Sequence, residues 1–140
     1  MAQGAPGIPR ATVRSMARPR PKYLNLMQIR LPVPGLVSIL HRVSGAVLFL
    51  LLPLLLALFE MSLESPQTFE RFELAFSHWA IKLILIGVAW AYLHHLCAGI
   101  RHLALDLDYG TELAAARASS WAVLVVSVVL TLVAGAVLIW

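Results

Sequence analysis

Cysteine is almost missing: Cys97 is the only one in 140 residues, and it falls inside a long apolar run. A disulfide framework is thereby excluded, as is a cysteine cluster for iron–sulfur or zinc, and Cys97 reads as a small packing residue. Charge is scarce as well, at 13% of residues, and lies mostly outside three long hydrophobic stretches. Acidic residues are absent from the first thirty positions, where six of the eleven Lys and Arg residues stand. That asymmetry accounts for the net charge of +4 without a nucleic-acid partner, because a basic flank beside anionic lipid marks the cytoplasmic side of a membrane protein. No apolar segment followed by small residues opens the chain, so no secretory signal is read there. The prolines among residues 1–20 oppose the amphipathic helix of a mitochondrial transit peptide. This segment reads as a flexible cytoplasmic tail, and a bacterial inner membrane is favoured over a mitochondrial one. There is no phosphate loop, no serine–histidine–aspartate set, no paired carboxylates in a pocket and no internal repeat. A self-contained enzyme is not expected.

What is abundant is apolar surface, 60% of the residues. The expected fold is an all-α membrane protein with three transmembrane helices, and residues 21–140 form one membrane-anchor domain. A span needs about 20 residues to cross about 30 Å of hydrocarbon. The spans are placed at about 36–59, 79–105 and 120–140, with the N-terminus cytoplasmic and the C-terminus periplasmic. Arg20 to Pro34 is too rich in proline for a long helix and suits a segment running along the interface. Pro53 is expected to kink the first span, Glu60 to His78 reads as a polar connection, and Asp108 to Arg117 as a short turn. In the third span, Ser127, Ala134, Gly135 and Ala136 suit close helix contact, and Trp140 sits where an interfacial aromatic belongs.

The second span carries the chemistry. It holds two adjacent histidines, an arginine, a third histidine and an aspartate, and ionisable groups in hydrocarbon mark a site by default. At about 100° per residue, His95, Gly99, His102 and Asp106 project from nearly one face, while His94 and Arg101 point away. The first span runs antiparallel and brings Ser38, His41 and Arg42 level with Arg101, His102 and Asp106. Such a pair of polar clusters suits an acidic or carbonyl-bearing ligand. His95 lies about 10 Å deeper than His102, which fits a haem standing along the membrane normal. Its iron would be ligated at His95 and its propionates would reach His41, Arg42 or His102. A second deep histidine on another helix is lacking, so a second ligand has to come from another subunit. The plainer readings are a helix–helix hydrogen bond for His95, a helix-end residue reaching for the interface for Arg101, and a packing contact for His94. His94 is also the rival ligand. Ser38 could equally bond back to its own helix, and His78 at the outer end meets water.

The stretches SILHRVSG (Ser38 to Gly45) and HxxxGIRHLxxD (His95 to Asp106), with the lead-in RPKYLNLMQIRLP, resemble the cytochrome b subunit of succinate dehydrogenase, respiratory complex II. The resemblance covers about Arg18 to the C-terminus. It implies a membrane-anchor subunit that shares haem b with a second three-span anchor, the latter supplying the other haem ligand. A flavoprotein subunit carrying FAD and an iron–sulfur subunit would sit on the cytoplasmic face, and ubiquinone would be the substrate reduced at the membrane boundary. His95 then becomes the axial ligand of the haem iron, Ser38 and Arg42 line the quinone site with Asp106 nearby, and His41 and His102 stand near the propionates. Two other functions stay open at this level. One is the anchor of a fumarate reductase, and the other a haem-free membrane anchor or proton-relay component. A two-haem cytochrome within one chain is disfavoured, because the only deep histidines, His94 and His95, are adjacent.

Overall fold

A computed structural model describes residues 31–139. The proposed tail over residues 1–20, most of the interfacial lead-in and the side chain of Trp140 lie outside them. Four helices follow in order: α1 Val33–Glu64, α2 Pro66–Ser77, α3 Trp79–Asp106 and α4 Leu113–Ile139. Among the described residues there is no strand, and α1, α3 and α4 are long and apolar enough to cross a membrane. The all-helical, three-span architecture is the one read from the sequence.

Local chemistry sets the helix ends. Pro32 precedes α1 in extended backbone and Pro34 sits in its first turn, where a missing N–H leaves nothing unsatisfied. Pro53 lies inside α1, which continues through it to Glu64. The connection between the first two spans is itself helical. Ser65 accepts the Thr68 N–H at 3.2 Å, and the Thr68 hydroxyl accepts the Ser65 N–H at 3.0 Å, a reciprocal cap that starts α2 with Pro66 behind it. Phe72 and Phe76 stack along α2 with ring centroids 4.0 Å apart, which gives this short helix an apolar face. His78 then caps α3, its Nδ1 accepting the Ala80 N–H at 3.2 Å. The turn from α3 to α4 is tighter than Asp108 to Arg117: Asp108 and Gly110 take positive φ values of 60° and 74°, and α4 starts at Leu113. Arg117 therefore belongs to the opening turns of α4 rather than to the loop.

α3 packs against both α1 and α4. The small core consists of Val37 from α1, Ala98 from α3 and Val123 from α4, with Cys97 and Leu124 against it. α4 presents Ser120, Val123, Ser127, Thr131 and Gly135 on one buried face. Its hydroxyls are satisfied within the helix: Ser120 donates to the Ala116 carbonyl at 2.7 Å and Thr131 to that of Ser127 at 2.7 Å. The face is thus smooth and internally saturated, which allows close approach in lipid. Gly135 lies against Ile86 of α3. The opposite faces remain uncovered: Phe49, Leu50 and Val137 are each about three-quarters exposed, as lipid- or partner-facing residues must be.

Candidate functional site

The polar face of α3 meets α1 at a point where backbone meets side chain. The His95 imidazole approaches the His41 main-chain carbonyl, with Nδ1 3.0 Å from the oxygen, and it also lies 3.3 Å from the Ser44 hydroxyl. A carbonyl can only accept, so Nδ1 carries the proton and donates it. The Ser44 hydroxyl sends its own proton to the same carbonyl at 3.0 Å and offers its lone pairs to His95. In the neutral ring this fixes one tautomer and leaves the lone pair on Nε2. Among the described residues Nε2 makes no hydrogen bond.

Glycine makes this approach possible. A Cβ at position 45 would stand 2.7 Å from His95 Cε1 and 3.2 Å from Nδ1, closer than side chains pack. Gly99 on α3 provides the reciprocal gap under His41, whose Nε2 lies 3.5 Å from where its Cβ would be. The His41 ring stacks on that of His95 at 4.2 Å and 11°, and meets its other neighbour, His102, tilted at 46° with centroids 5.1 Å apart. Three histidines from two helices thus form one column: the spacing of His95, Gly99 and His102 aligns the α3 members, and His41 of α1 enters over Gly99. Beside it, a half-open cavity of about 450 Å³ is lined by Gly45, Leu48, Phe49, Leu52, Leu55, Tyr92 and His95. It is apolar except at the imidazole and the tyrosine, and the bundle walls it on one side only.

The other expected site residues are placed less intimately. Ser38 is half-buried one turn before Arg42, and Arg42 and Asp106 are exposed. Among the described residues none of the three is joined to the histidine column by a hydrogen bond or ion pair.

The structure sends two neighbours of the column elsewhere. Arg101 is no helix-end residue reaching for the interface: it is only 8% exposed, and it reaches α4, where Nε donates to the Ser119 hydroxyl at 3.0 Å and a terminal nitrogen to the Ala116 carbonyl at 3.2 Å. One residue before His102 means a turn of about 100° away from α1, so Arg101 cannot join a cluster facing His41. His94 is fully enclosed and stacks on Trp90 at 5.3 Å and 26°. It approaches the Val37 backbone, but without hydrogen-bond geometry, and among the described residues neither ring nitrogen has a partner.

Sequence reading did not find Ser44 or the Arg101 acceptors. Ser44 stands inside the SILHRVSG stretch, three residues after His41, and its buried hydroxyl is the one that touches His95. Among the described residues no group of three or more His, Cys, Asp or Glu side chains converges as a metal cage, so His95 stands as a single donor.

Comparison with known proteins places the chain in company consistent with these residues. A family model described as "Succinate dehydrogenase/Fumarate reductase transmembrane subunit" matches residues 16–134. Three similar relatives are each named "Succinate dehydrogenase cytochrome b556 subunit". That of Coxiella burnetii is 40% identical over 123 residues, covering 86% of this chain and 97% of the relative. That of Paracoccus denitrificans is 36% identical, covering 79% and 85%. That of Rickettsia felis is 33% identical, covering 86% and 94%.

Proposed function

The chain belongs to the succinate dehydrogenase/fumarate reductase transmembrane subunit family, as a cytochrome b anchor subunit of succinate dehydrogenase, and from that premise we propose that it ligates haem b through His95 and forms part of the ubiquinone-reduction site. The observation that carries the proposal is the held tautomer of His95, with Nδ1 bound to the His41 carbonyl and Nε2 unengaged beside an apolar cavity. A metal-binding imidazole needs its second nitrogen tied to an acceptor in this way, which orients the ring and raises its basicity. The residues present fit half of a haem site: one donor, an apolar wall and a glycine gap. The other wall and the second ligand would come from a second anchor subunit. The burial of His94 within this chain, while His95 lines the apolar cavity, supports His95 over its neighbour as the ligand.

A bound b-type haem supplies a reversible one-electron centre. This chain's residues do the rest. His41, packed between His95 and His102, and His102 itself stand where cations or N–H donors can meet haem propionates, together with the exposed Arg42. The Ser38 hydroxyl can donate to a quinone carbonyl, and Arg42 can stabilise the negative charge that develops on its reduction. Asp106 at the same level is a polar partner for that pocket. A flavoprotein carrying FAD and an iron–sulfur subunit would dock on the face bearing Ser38, Arg42 and Asp106. In a bacterial inner membrane that face is the cytoplasmic one.

The test is a reduced-minus-oxidised absorption spectrum of the complex purified through a tag on this chain, with the same sample run on a gel. A b-type signal that disappears in His95→Leu and persists in His94→Leu is the expected result, alongside two large soluble subunits and a second small one. Absence of haem and of large partners from the wild-type preparation overturns the proposal. Ser38→Ala and Arg42→Leu should lower quinone reduction while succinate oxidation with a soluble acceptor stays intact; equal loss of both removes these residues from the quinone site.

A further inference from the structure

At the opposite end of the spans from His102 and Asp106, α2 and the start of α3 bear three adjoining open depressions that share Ser77. The first, about 290 Å³, is lined by Glu70, Glu73, Leu74 and Ser77. The second, about 340 Å³, is lined by Phe69, Phe72, Glu73, Phe76, Ser77 and Lys82. The third, about 330 Å³, is lined by Ser77, Trp79, Lys82, Leu83 and Ile86. Together they make a furrow whose chemistry changes in a fixed order. Carboxylates come first, then a lysine over phenylalanines, then an apolar strip along α3.

The order has a direction relative to the membrane. α3 is a span that begins at Trp79, so Leu83 and Ile86 lie progressively deeper along one helix face. Lys82 is half-buried one turn inside the span, and Trp79 is 70% exposed beside it, as an interfacial indole would be. Glu73 and Lys82 line the same depression, yet among the described residues neither forms an ion pair. Each charge is therefore available to a ligand. A like-charged ligand would satisfy one and be repelled by the other.

We propose that this furrow binds a zwitterionic aminophospholipid, with the ammonium group at Glu73, the phosphate at Lys82 and an acyl chain along Trp79, Leu83 and Ile86. The succession from acid to base to hydrocarbon matches ammonium, phosphodiester and chain in the sequence that a lipid at the membrane surface presents them. The stacked Phe72 and Phe76 line the same depression as Lys82 and give the headgroup zone an apolar border. The proposal concerns residues far from the histidine column and holds or fails independently of the haem reading.

Native mass spectrometry of the complex, purified in mild detergent and supplied with defined lipids, tests it. Phosphatidylethanolamine, phosphatidylglycerol and diacylglycerol of the same chains are compared. The wild type should retain phosphatidylethanolamine above phosphatidylglycerol, and diacylglycerol least. Lys82→Gln should lower affinity for both phospholipids on the order of ten-fold, the loss of one charge-assisted hydrogen bond. Glu73→Gln should abolish the preference for phosphatidylethanolamine while keeping phosphatidylglycerol. Unchanged thermal midpoints will show both variants folded, since both residues lie at the surface end of the bundle. Equal retention of all three lipids by the wild type overturns the proposal, as does an unchanged lipid preference in Glu73→Gln. So does a benzoylphenylalanine in place of Phe76 that crosslinks to a polypeptide instead of to lipid.

Discussion

Replacing Gly45 with alanine places a methyl carbon 2.7 Å from His95 Cε1 and 3.2 Å from Nδ1. Carbon atoms pack at about 3.5–4.0 Å, so the imidazole has to retreat by roughly 1 Å. Nδ1 is 3.0 Å from the His41 carbonyl, and a retreat of that size breaks the bond or bends the helix backbone that provides it. Overpacking of this kind costs about 1–3 kcal/mol, and a lost hydrogen bond adds about 0.5–1.5 kcal/mol. Gly45→Ala should therefore destabilise the bundle by roughly 1.5–4.5 kcal/mol, combining those two effects. It should also lower the haem-to-protein ratio, because the ring is no longer held in the tautomer that leaves Nε2 free. Two other helical glycines calibrate the result. Gly87→Ala meets no heavy atom within 4 Å, and Gly99→Ala meets His41 Nε2 at an ordinary 3.5 Å. The former should be neutral or stabilising by up to about 1 kcal/mol from helix propensity, and the latter tolerated. The assays are thermal unfolding in detergent and the absorbance of haem per protein. If Gly45→Ala matches Gly87→Ala in both, the close approach does not control the site.

Ser44→Ala removes one of the two groups facing His95 Nδ1 and should cost about 0.5–1.5 kcal/mol, less than Gly45→Ala. Haem should stay bound with a shifted midpoint potential; an unshifted potential would show that Ser44 contributes packing alone. Arg101→Met should destabilise the α3–α4 contact by about 1–3 kcal/mol, because the Ser119 hydroxyl loses its Arg101 donor and the Ala116 carbonyl loses its one donor from α3. Arg101→Lys should not restore it, since an ammonium is a point donor and cannot reproduce the fork that meets both acceptors; full rescue in thermal unfolding would contradict that geometry. His94→Leu should be neutral or stabilising, because two enclosed, unpartnered ring nitrogens are exchanged for apolar atoms, and a loss of more than about 2 kcal/mol would reveal a partner for His94.

The α3 half of the histidine column was legible because it depends on one helix, whereas the insertion of the His41 ring between His95 and His102 depends on how α1 meets α3. Residues four and seven apart share a face on any α-helix, so His95, Gly99 and His102 could be aligned from spacing alone. Ser44 was not legible, because its contact depends on how α1 is rotated against α3, and no single-chain periodicity encodes that rotation. Arg101 was misread for a related reason. Its acceptors stand on α4, across a six-residue turn, and one is a backbone carbonyl that carries no side-chain signal. α2 did leave signals: Ser65-Pro66 followed by Thr68, and phenylalanines at 69, 72 and 76. Its four neighbouring glutamates and arginine outweighed them in a hydropathy reading. The early start of α4 was hidden likewise, because Leu113 to Arg117 is good helix-forming sequence but holds a charge that a search for uncharged spans rejects.

The burial of Arg101 bears on how the chain enters the membrane. An arginine arriving alone at the centre of a helix costs about 2.5–3.5 kcal/mol on insertion scales, and less in the closing turns of a span, where Arg101 stands. Here its acceptors, Ser119 and the Ala116 carbonyl, are made only fifteen to eighteen residues later, at the opening of the next span. α3 by itself carries an unanswered guanidinium, whereas α3 with α4 carries a satisfied one. The two helices are therefore best released into lipid as a hairpin. A ribosome stalled between them should leave α3 slow to partition, and completing α4 should draw it in.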